Sequence, residues 1–181
     1  YDYPDLMQRL SNVLAQKMVE LNQVLRDFSN NTTVGWEIAD DNSALFNKKL
    51  YNTYCVPVLE KVLDALAPLG SRRFQHSDSA MGHHLDAQRE MGINEVNYGP
   101  EIDVAYIREK MPDAIIKGHI PPFLLLNESA EVILQRVESD FAAAGQKGQL
   151  IISTAGSLAA GTGVGRMRWL MQSVQDHCRY N

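Results

Sequence analysis

The feature that most constrains the fold is a regular alternation of helix-like and strand-like segments along the 181 residues. Apolar residues recur every three or four positions over 6–28, which predicts an amphipathic helix. Five short strand-like segments follow, and no Asn-Gly hairpin signal joins any two of them. They are residues 32–38, 73–78, 93–98, 114–118 and 149–153.

The segments between these strands have helical periodicity or helix-ending residues. Helices are predicted around 50–66, 83–91, 104–110, 128–141 and 165–178. Pro57 lies inside the first of these and predicts a kink, because proline cannot donate a backbone hydrogen bond. Strands that are always joined through helices must run parallel, so the sequence predicts an α/β fold with a parallel sheet and outer helices.

Polar side chains follow four of the five predicted strands. They are Asp40 and Asp41, then His76 and Asp78, then His119, and finally Ser153 and Thr154. A doubly wound sheet and part of a TIM (β/α)8-type barrel both fit the alternation. The barrel is favoured because its strand ends share one rim, where active sites are built. No Gly-rich dinucleotide-binding turn follows the first strand.

The composition limits the partners of this chain. With 45% hydrophobic residues, residues 1–181 can form one domain with a proper core. The net charge of -5 and the absence of a Lys/Arg cluster predict no nucleic-acid partner, and the apolar runs are too short for a membrane span. Cys55 and Cys178 form no metal-binding or redox motif, so a reducing cytoplasm is the expected location.

The strand end 72–78 contains the strongest candidate site. His76 and Asp78 are two positions apart, so they lie on the same side of an extended chain and could share a ligand. The alternative is a strand-end histidine held in place by Asp78. Asp40 and Asp41 could hold a cation or accept a proton, or they could cap the helix that follows.

Other candidates are less specific. Glu37 inside the first strand is either a ligand or one arm of a salt bridge. His119 could line the same mouth as His76, and Tyr98 ends the third strand as a candidate substrate contact. The glycines between Gly156 and Gly165 could form an anion cradle, although Gly-rich loops are commoner than anion sites. The adjacent His83 and His84 are expected at the surface, since neighbours on a helix cannot face one ligand.

Several of these segments together resemble the uroporphyrinogen decarboxylase superfamily. The similar segments are Asp40-Asp41-Asn42-Ser43-Ala44-Leu45-Phe46, Leu50-Tyr51, Val56-Pro57-Val58-Leu59, His76-Ser77-Asp78 and Lys117-Gly118-His119-Ile120-Pro121-Pro122. The likeness covers essentially the whole chain and implies a TIM barrel. Its members include decarboxylases that remove carboxyl groups from a tetrapyrrole without a cofactor, and zinc-dependent methyltransferases that work with a corrinoid protein.

The chain departs from both groups at two positions. Gly156 falls where the resemblance implies a histidine in the decarboxylases and a cysteine in the methyltransferases. Asp78 falls where the methyltransferases have a further cysteine. A thiolate zinc site is therefore not expected, and a metal site, if present, would use His76, Asp78 and Glu37. The arginine and aspartate that bind and protonate the decarboxylases' substrate lie in their first half, which has no counterpart here.

The resemblance implies three alternative functions. The first is decarboxylation of a tetrapyrrole or related carboxylated substrate, with no cofactor. The second is methyl transfer with zinc and a corrinoid partner, and the third is a non-catalytic barrel half used for binding or assembly. For the first, we expect Asp40 or Asp41 to handle protons, His76 to polarise the substrate and Asp78 to fix the tautomer of His76. Tyr98, His119, Glu37 and Gly156 are expected at the substrate.

The number of strands predicts an incomplete barrel. Five strand segments are present, whereas a closed barrel of this type has eight strands and about 250 residues. The chain begins at Tyr1 rather than at methionine, and its first helix has no strand before it. We therefore expect the C-terminal part of a barrel, about five βα units. Its partner would be the missing N-terminal half or a second copy of the chain.

Overall fold

The structure, a computed structural model, describes residues 2–30, 32 and 34–179. Within these residues the strands are β1 Gly35–Ala39, β2 Arg72–Ser77, β3 Glu95–Tyr98, β4 Ile115–Lys117 and β5 Leu150–Ile151. The α-helices are α1 Pro4–Ser29, α2 Lys48–Leu50, α3 Val56–Leu66, α4 Leu85–Glu90, α5 Val104–Lys110, α6 Pro122–Asn127, α7 Ala130–Asp140 and α8 Val164–His177. Thr33, inside the first predicted strand, lies outside the described residues.

The five strands form one parallel sheet in the order β1-β2-β3-β4-β5. This confirms the predicted parallel sheet with flanking helices and matches part of a TIM barrel. Glu37, Phe74, Glu95 and Ile115 lie side by side in one row across the sheet. Among the described residues β1 pairs only with β2, and β5 only with β4, so both outer edges of the sheet are open.

The two faces of the sheet have different environments. Ile38, Val96 and Ile116 point toward the helices and are buried in the main core with Leu63 of α3 and Ile107 of α5. Because side chains alternate along a strand, the neighbouring positions point to the opposite side. We call that side the inner face and define it by these residues: Glu37, Phe74, His76, Glu95, Asn97 and Lys117.

Helix α1 is confirmed, but its apolar stripe does not face the core. The helix packs on α3 through Ala15, which is fully buried against Val62 and Leu66. Ten large apolar side chains of α1 remain exposed: Leu6, Met7, Leu10, Val13, Leu14, Met18, Leu21, Val24, Leu25 and Phe28. They include the eight apolar residues whose spacing predicts the helix, namely Leu6, Leu10, Val13, Leu14, Met18, Leu21, Leu25 and Phe28. The chain therefore presents a continuous apolar helix face to solvent.

Two local features differ from the predictions. The predicted helix around Pro57 is one helical run from α2 to α3, but it contains an unpredicted π-helical turn at Tyr51–Cys55, directly before the turn with Pro57. His84, expected at the surface, is buried, because its ring stacks on Tyr51 and its Nε2 contacts the carbonyl oxygen of Ser43. His83 is exposed, as predicted.

No α-helix in the described part of the chain combines the length and apolar character needed to cross a membrane.

Candidate functional site

His76 lies near the carboxyl end of β2 with both ring nitrogens close to polar groups. Its Nδ1 is 2.8 Å from the side-chain oxygen of Asn97 on β3, and its Nε2 is 3.7 Å from a carboxylate oxygen of Asp78. The side chain of His76 is 30% exposed and that of Asp78 is 54% exposed. The predicted pair therefore forms, but with Asp78 at Nε2 and Asn97 at Nδ1.

Asn97 is a site residue that the sequence analysis missed. Its amide nitrogen donates to the backbone oxygens of Lys117 (2.7 Å) and Thr154 (3.2 Å), while its amide oxygen faces His76. The side chain is largely buried and joins the ends of β2, β3 and β4 to the segment after β5. Asparagine is depleted in strands, so an asparagine in a central strand was the available signal.

Asp41 connects the end of β1 to the end of β2. Its Oδ1 accepts a hydrogen bond from the hydroxyl of Ser77 (2.9 Å) and another from the backbone N–H of Asp78 (2.7 Å). Its other oxygen, Oδ2, has no hydrogen-bond partner within the described residues. Asp41 thus holds Asp78 beside His76 and keeps one carboxylate oxygen available to a ligand.

Asp40 is occupied by local structure. Its Oδ1 accepts from the backbone N–H groups of Asn42 (3.0 Å) and Ser43 (3.1 Å), and Oδ2 accepts from the hydroxyl of Ser43. These bonds cap the short 3-10 helix Asn42–Leu45. The capping alternative applies to Asp40, so only Asp41 of the two remains able to handle protons.

Gly156 brings the loop after β5 against Asp78. Its φ of +87° is in the left-handed region, and a Cβ at this position would overlap the Asp78 carboxylate. The loop therefore approaches the site closely only because residue 156 has no side chain. The structure places Gly156 beside the candidate site.

Below His76 the inner face contains a network of charges. Glu95 is bound by Arg72, at 2.9 Å, and by Lys117, and both cations lie over the ring of Phe74. Burial acts to raise the pKa of Glu95, but the hydrogen bonds from Arg72 and Lys117 outweigh it and lower the pKa overall. Glu37 joins this network through Arg72 at 3.5 Å, so the salt-bridge alternative for Glu37 is the observed one.

Two expected substrate contacts are buried. Tyr98 has no exposed surface, points toward the helices and donates its hydroxyl to Gln88, and burial raises its pKa. His119 is also fully enclosed; burial lowers its pKa, and the nearby backbone of Ile102 opposes that shift. Neither residue lines the mouth. A tyrosine that follows the apolar Val96 by two positions shares its face, which explains the burial of Tyr98.

The side chains at the rim do not fit the zinc site implied by the resemblance. Among the described residues, no group of three or more His, Cys, Asp or Glu side chains could hold a metal ion. Glu37 is bound to Arg72, which leaves only His76 and Asp78 of the expected set. Burial raises the pKa of the Cys55 thiol to about 11, and a zinc ligand must be a thiolate.

What the rim offers is an imidazole beside carboxylates. An imidazole such as that of His76 can give or take a proton, and Asp78 can stabilise the charged ring. Asp41 adds a second carboxylate at the same end of the sheet. This set suits proton transfer and the recognition of a polar substrate.

Comparisons with known proteins agree with this fold. The sequence model of the family described as Uroporphyrinogen decarboxylase (URO-D) matches residues 1–177. No curated protein matches the chain. Among solved structures, a methyltransferase from Methanosarcina mazei is similar, with 16% sequence identity and a TM-score of 0.62. The similarity covers 93% of this chain and 47% of that one, so this chain spans about half the length of its structural relative.

Proposed function

The chain belongs to the uroporphyrinogen decarboxylase family, and we propose that it removes a carboxyl group from a tetrapyrrole or related carboxylated substrate. One observation carries this proposal. The rim presents the imidazole of His76 together with the carboxylates of Asp78 and Asp41. This set of side chains includes no cysteine. Such a set can protonate carbon and needs no metal-bound nucleophile.

In the proposed reaction the bond between carbon and the carboxyl group breaks and carbon dioxide leaves. The electron pair stays on the carbon, which then takes a proton from Nε2 of protonated His76. Asp78, 3.7 Å from that nitrogen, stabilises the imidazolium before the transfer. Asp41 holds Asp78 in place through the backbone bond of 2.7 Å and offers Oδ2 to polar groups of the substrate.

The runner-up is methyl transfer in partnership with a corrinoid protein. It is favoured by the similarity to a solved methyltransferase. The donor set argues against it, since His76 and Asp78 have no third ligand and no thiolate with them among the described residues. A non-catalytic binding or assembly role is the third candidate, supported by the half-length coverage.

We further propose that a second protein segment completes the barrel: the missing N-terminal half or another copy of this chain. The open edge of β1 and the exposed apolar face of α1 offer one contact surface. The open edge of β5 offers another, beside a groove of about 390 Å³ lined by Ile152, Leu170 and Met171. Since both cysteines are free thiols, we place the protein in a reducing cytoplasm.

The reaction is tested by incubating the chain with uroporphyrinogen without oxygen and counting the carboxyl groups of the product. We expect carboxyl loss by the unmodified chain and none by His76→Ala. His83→Ala is the matched control, because His83 is an exposed histidine whose ring contacts the backbone of Phe46 and the ring of His84 and not His76. Equal carboxyl loss by all three proteins, or loss by none, would contradict the proposal.

Metal analysis separates the two enzymatic candidates. We expect purified chain to contain no stoichiometric zinc and to keep its activity after chelator treatment. Stoichiometric zinc that disappears in His76→Ala would exclude cofactor-free decarboxylation and favour the methyltransferase.

A further inference from the structure

We propose that Asn97 is a positioning residue that fixes His76 as the Nδ1–H tautomer and leaves the lone pair of Nε2 available at the mouth of the site. The tautomer follows from hydrogen bonds alone. Its consequence for proton transfer rests on the proposed function. This differs from the role expected for Asp78, which lies at the other nitrogen.

The first step is the orientation of the Asn97 amide. Its nitrogen lies 2.7 Å from the backbone oxygen of Lys117 and 3.2 Å from that of Thr154. Backbone oxygens accept hydrogen bonds and never donate them, so the atom facing both must be the NH2 group. The reversed amide would lose two hydrogen bonds and place three oxygens together inside a largely buried region.

The second step transfers this orientation to His76. With the NH2 group directed at the two carbonyls, the Asn97 oxygen faces Nδ1 of His76 at 2.8 Å. An amide oxygen can only accept, so Nδ1 must carry the hydrogen. A neutral imidazole has one N–H, and Nε2 therefore keeps its lone pair.

The third step concerns what Nε2 can do. A carboxylate oxygen can only accept a hydrogen bond, and its separation of 3.7 Å from Nε2 is too long for one, so Asp78 does not hold a hydrogen on Nε2 of the neutral ring. Nε2 is thus the nitrogen that gains a proton when the ring becomes charged and the one that releases it to a substrate. Because Asn97 also binds the chain at Lys117 and Thr154, the position of His76 depends on three neighbouring segments.

The tautomer is measured by nitrogen NMR of histidine-labelled protein, at a pH where the imidazole is neutral and without substrate. The chain has five histidines, and the signals absent from His76→Ala identify those of His76. We expect Nδ1 of His76 to have the shift of a protonated nitrogen and Nε2 that of an unprotonated one. The opposite assignment in the unmodified chain would overturn the inference.

The variant Asn97→Ala then tests whether Asn97 is what fixes the tautomer of His76. Without the amide oxygen, His76 should become a mixture of tautomers, as in free histidine. The matched control is Asn94→Ala on the same chain segment, because Asn94 binds the backbone of Ser71 and Arg73 at the opposite end of the sheet. A fixed Nδ1–H tautomer in Asn97→Ala would overturn the role of Asn97.

The unmodified chain alone decides the tautomer, so the inference can be tested even if Asn97→Ala does not fold. Failure of the proposed function gives a different result. An Nδ1–H tautomer in a chain that removes no carboxyl group would overturn the decarboxylation and retain the positioning role. An Nε2–H tautomer in a chain that removes carboxyl groups would overturn the positioning role of Asn97 and retain the decarboxylation.

Discussion

The burial of His119 predicts that stability depends on pH. Burial lowers its pKa in the folded chain below 6.5, the ordinary value, and the nearby Arg136 adds to the shift. The unfolded chain therefore binds a proton near pH 6.5, whereas the folded chain binds it only at lower pH. Stability from this group is complete above pH 6.5 and is lost as the pH falls from there toward the folded pKa.

Denaturant unfolding at pH 7.5, 6.5 and 5.5 measures this effect. We expect the free energy of unfolding to decrease toward pH 5.5, and to decrease less in His119→Gln. Some dependence should remain in that variant, because burial also lowers the pKa of His84. An identical pH dependence in both proteins would show that His119 stays charged or solvated in the folded chain.

Gly156 predicts a second effect at the scale of one residue. Gly156→Ala should reduce the free energy of unfolding by about 1–3 kcal/mol, because the left-handed φ is strained for alanine and its Cβ overlaps Asp78. Gly163→Ala in the same loop is the control. Its φ is -71° and no atom lies within 4 Å of an added Cβ, so its cost should stay within about 0.5 kcal/mol.

Removing the Asp78 carboxylate separates the two costs of Gly156→Ala, which are the strained φ and the overlap of the new Cβ with Asp78. In the Asp78→Ala background, Gly156→Ala should cost less than in the unmodified chain, since only the strained φ remains. Equal costs in the two backgrounds would mean that the loop does not approach Asp78.

Spacing along the chain predicted part of this site and could not predict the rest. His76 and Asp78 share one side of a strand because alternation is fixed by backbone geometry. The pairing of His76 with Asn97 depends on the register between β2 and β3, which no local pattern contains. Tyr98 ends a strand and His119 follows one, as rim residues do, yet the packing of neighbouring helices and loops buries both.

At the scale of elements, the exposed face of α1 predicts self-association. Apolar patches on monomers seldom exceed a few hundred Å², and ten large apolar side chains on one helix form a wider surface. We expect sedimentation to detect oligomers of the unmodified chain. Leu14→Lys/Leu21→Lys should shift the population toward monomer without loss of stability, since both side chains are more than half exposed.

Leu69→Lys is the control for this experiment. Leu69 is 77% exposed but lies in the loop after α3, with its side chain against Gly92 and not on the apolar face of α1, so its substitution should leave the oligomers unchanged. Association through α1 would be contradicted if the unmodified chain were monomeric at all concentrations. It would also be contradicted if Leu69→Lys shifted the oligomers as much as Leu14→Lys/Leu21→Lys.

The type and order of the long elements were predictable, and short ones were not. Helix α5 has the predicted bounds because Asp103 caps its start and Met111-Pro112 ends it. Helix α6 is absent from the predicted helices, although proline suits the first turn of a helix and Pro122 begins this one. The sequence could not predict that the apolar face of α1 points to solvent, because periodicity identifies an apolar face without identifying what covers it.

At the scale of the whole molecule, the chain is a five-stranded part of a barrel, and it brings the side chains around His76 together at one end of the sheet. The groups around His76 come from β3, from the end of β4 and from the segments after β1, β2 and β5. All of them lie within the described residues of this one chain. On the inner face below the rim, the positive charges of Arg72 and Lys117 are compensated by the carboxylates of Glu95 and Glu37. In the proposed function, the substrate meets this rim from the carboxyl ends of the strands.

The assignment of the substrate site to this rim is tested most directly by titrating the chain with uroporphyrin, the stable oxidised form of the carboxylated tetrapyrrole. We expect saturable binding that weakens by about tenfold or more in His76→Ala, which corresponds to about 1.4 kcal/mol of lost interaction. Binding by His83→Ala should equal that of the unmodified chain. Absence of saturable binding, or equal affinity of the His76→Ala and unmodified chains, would contradict a tetrapyrrole site at His76.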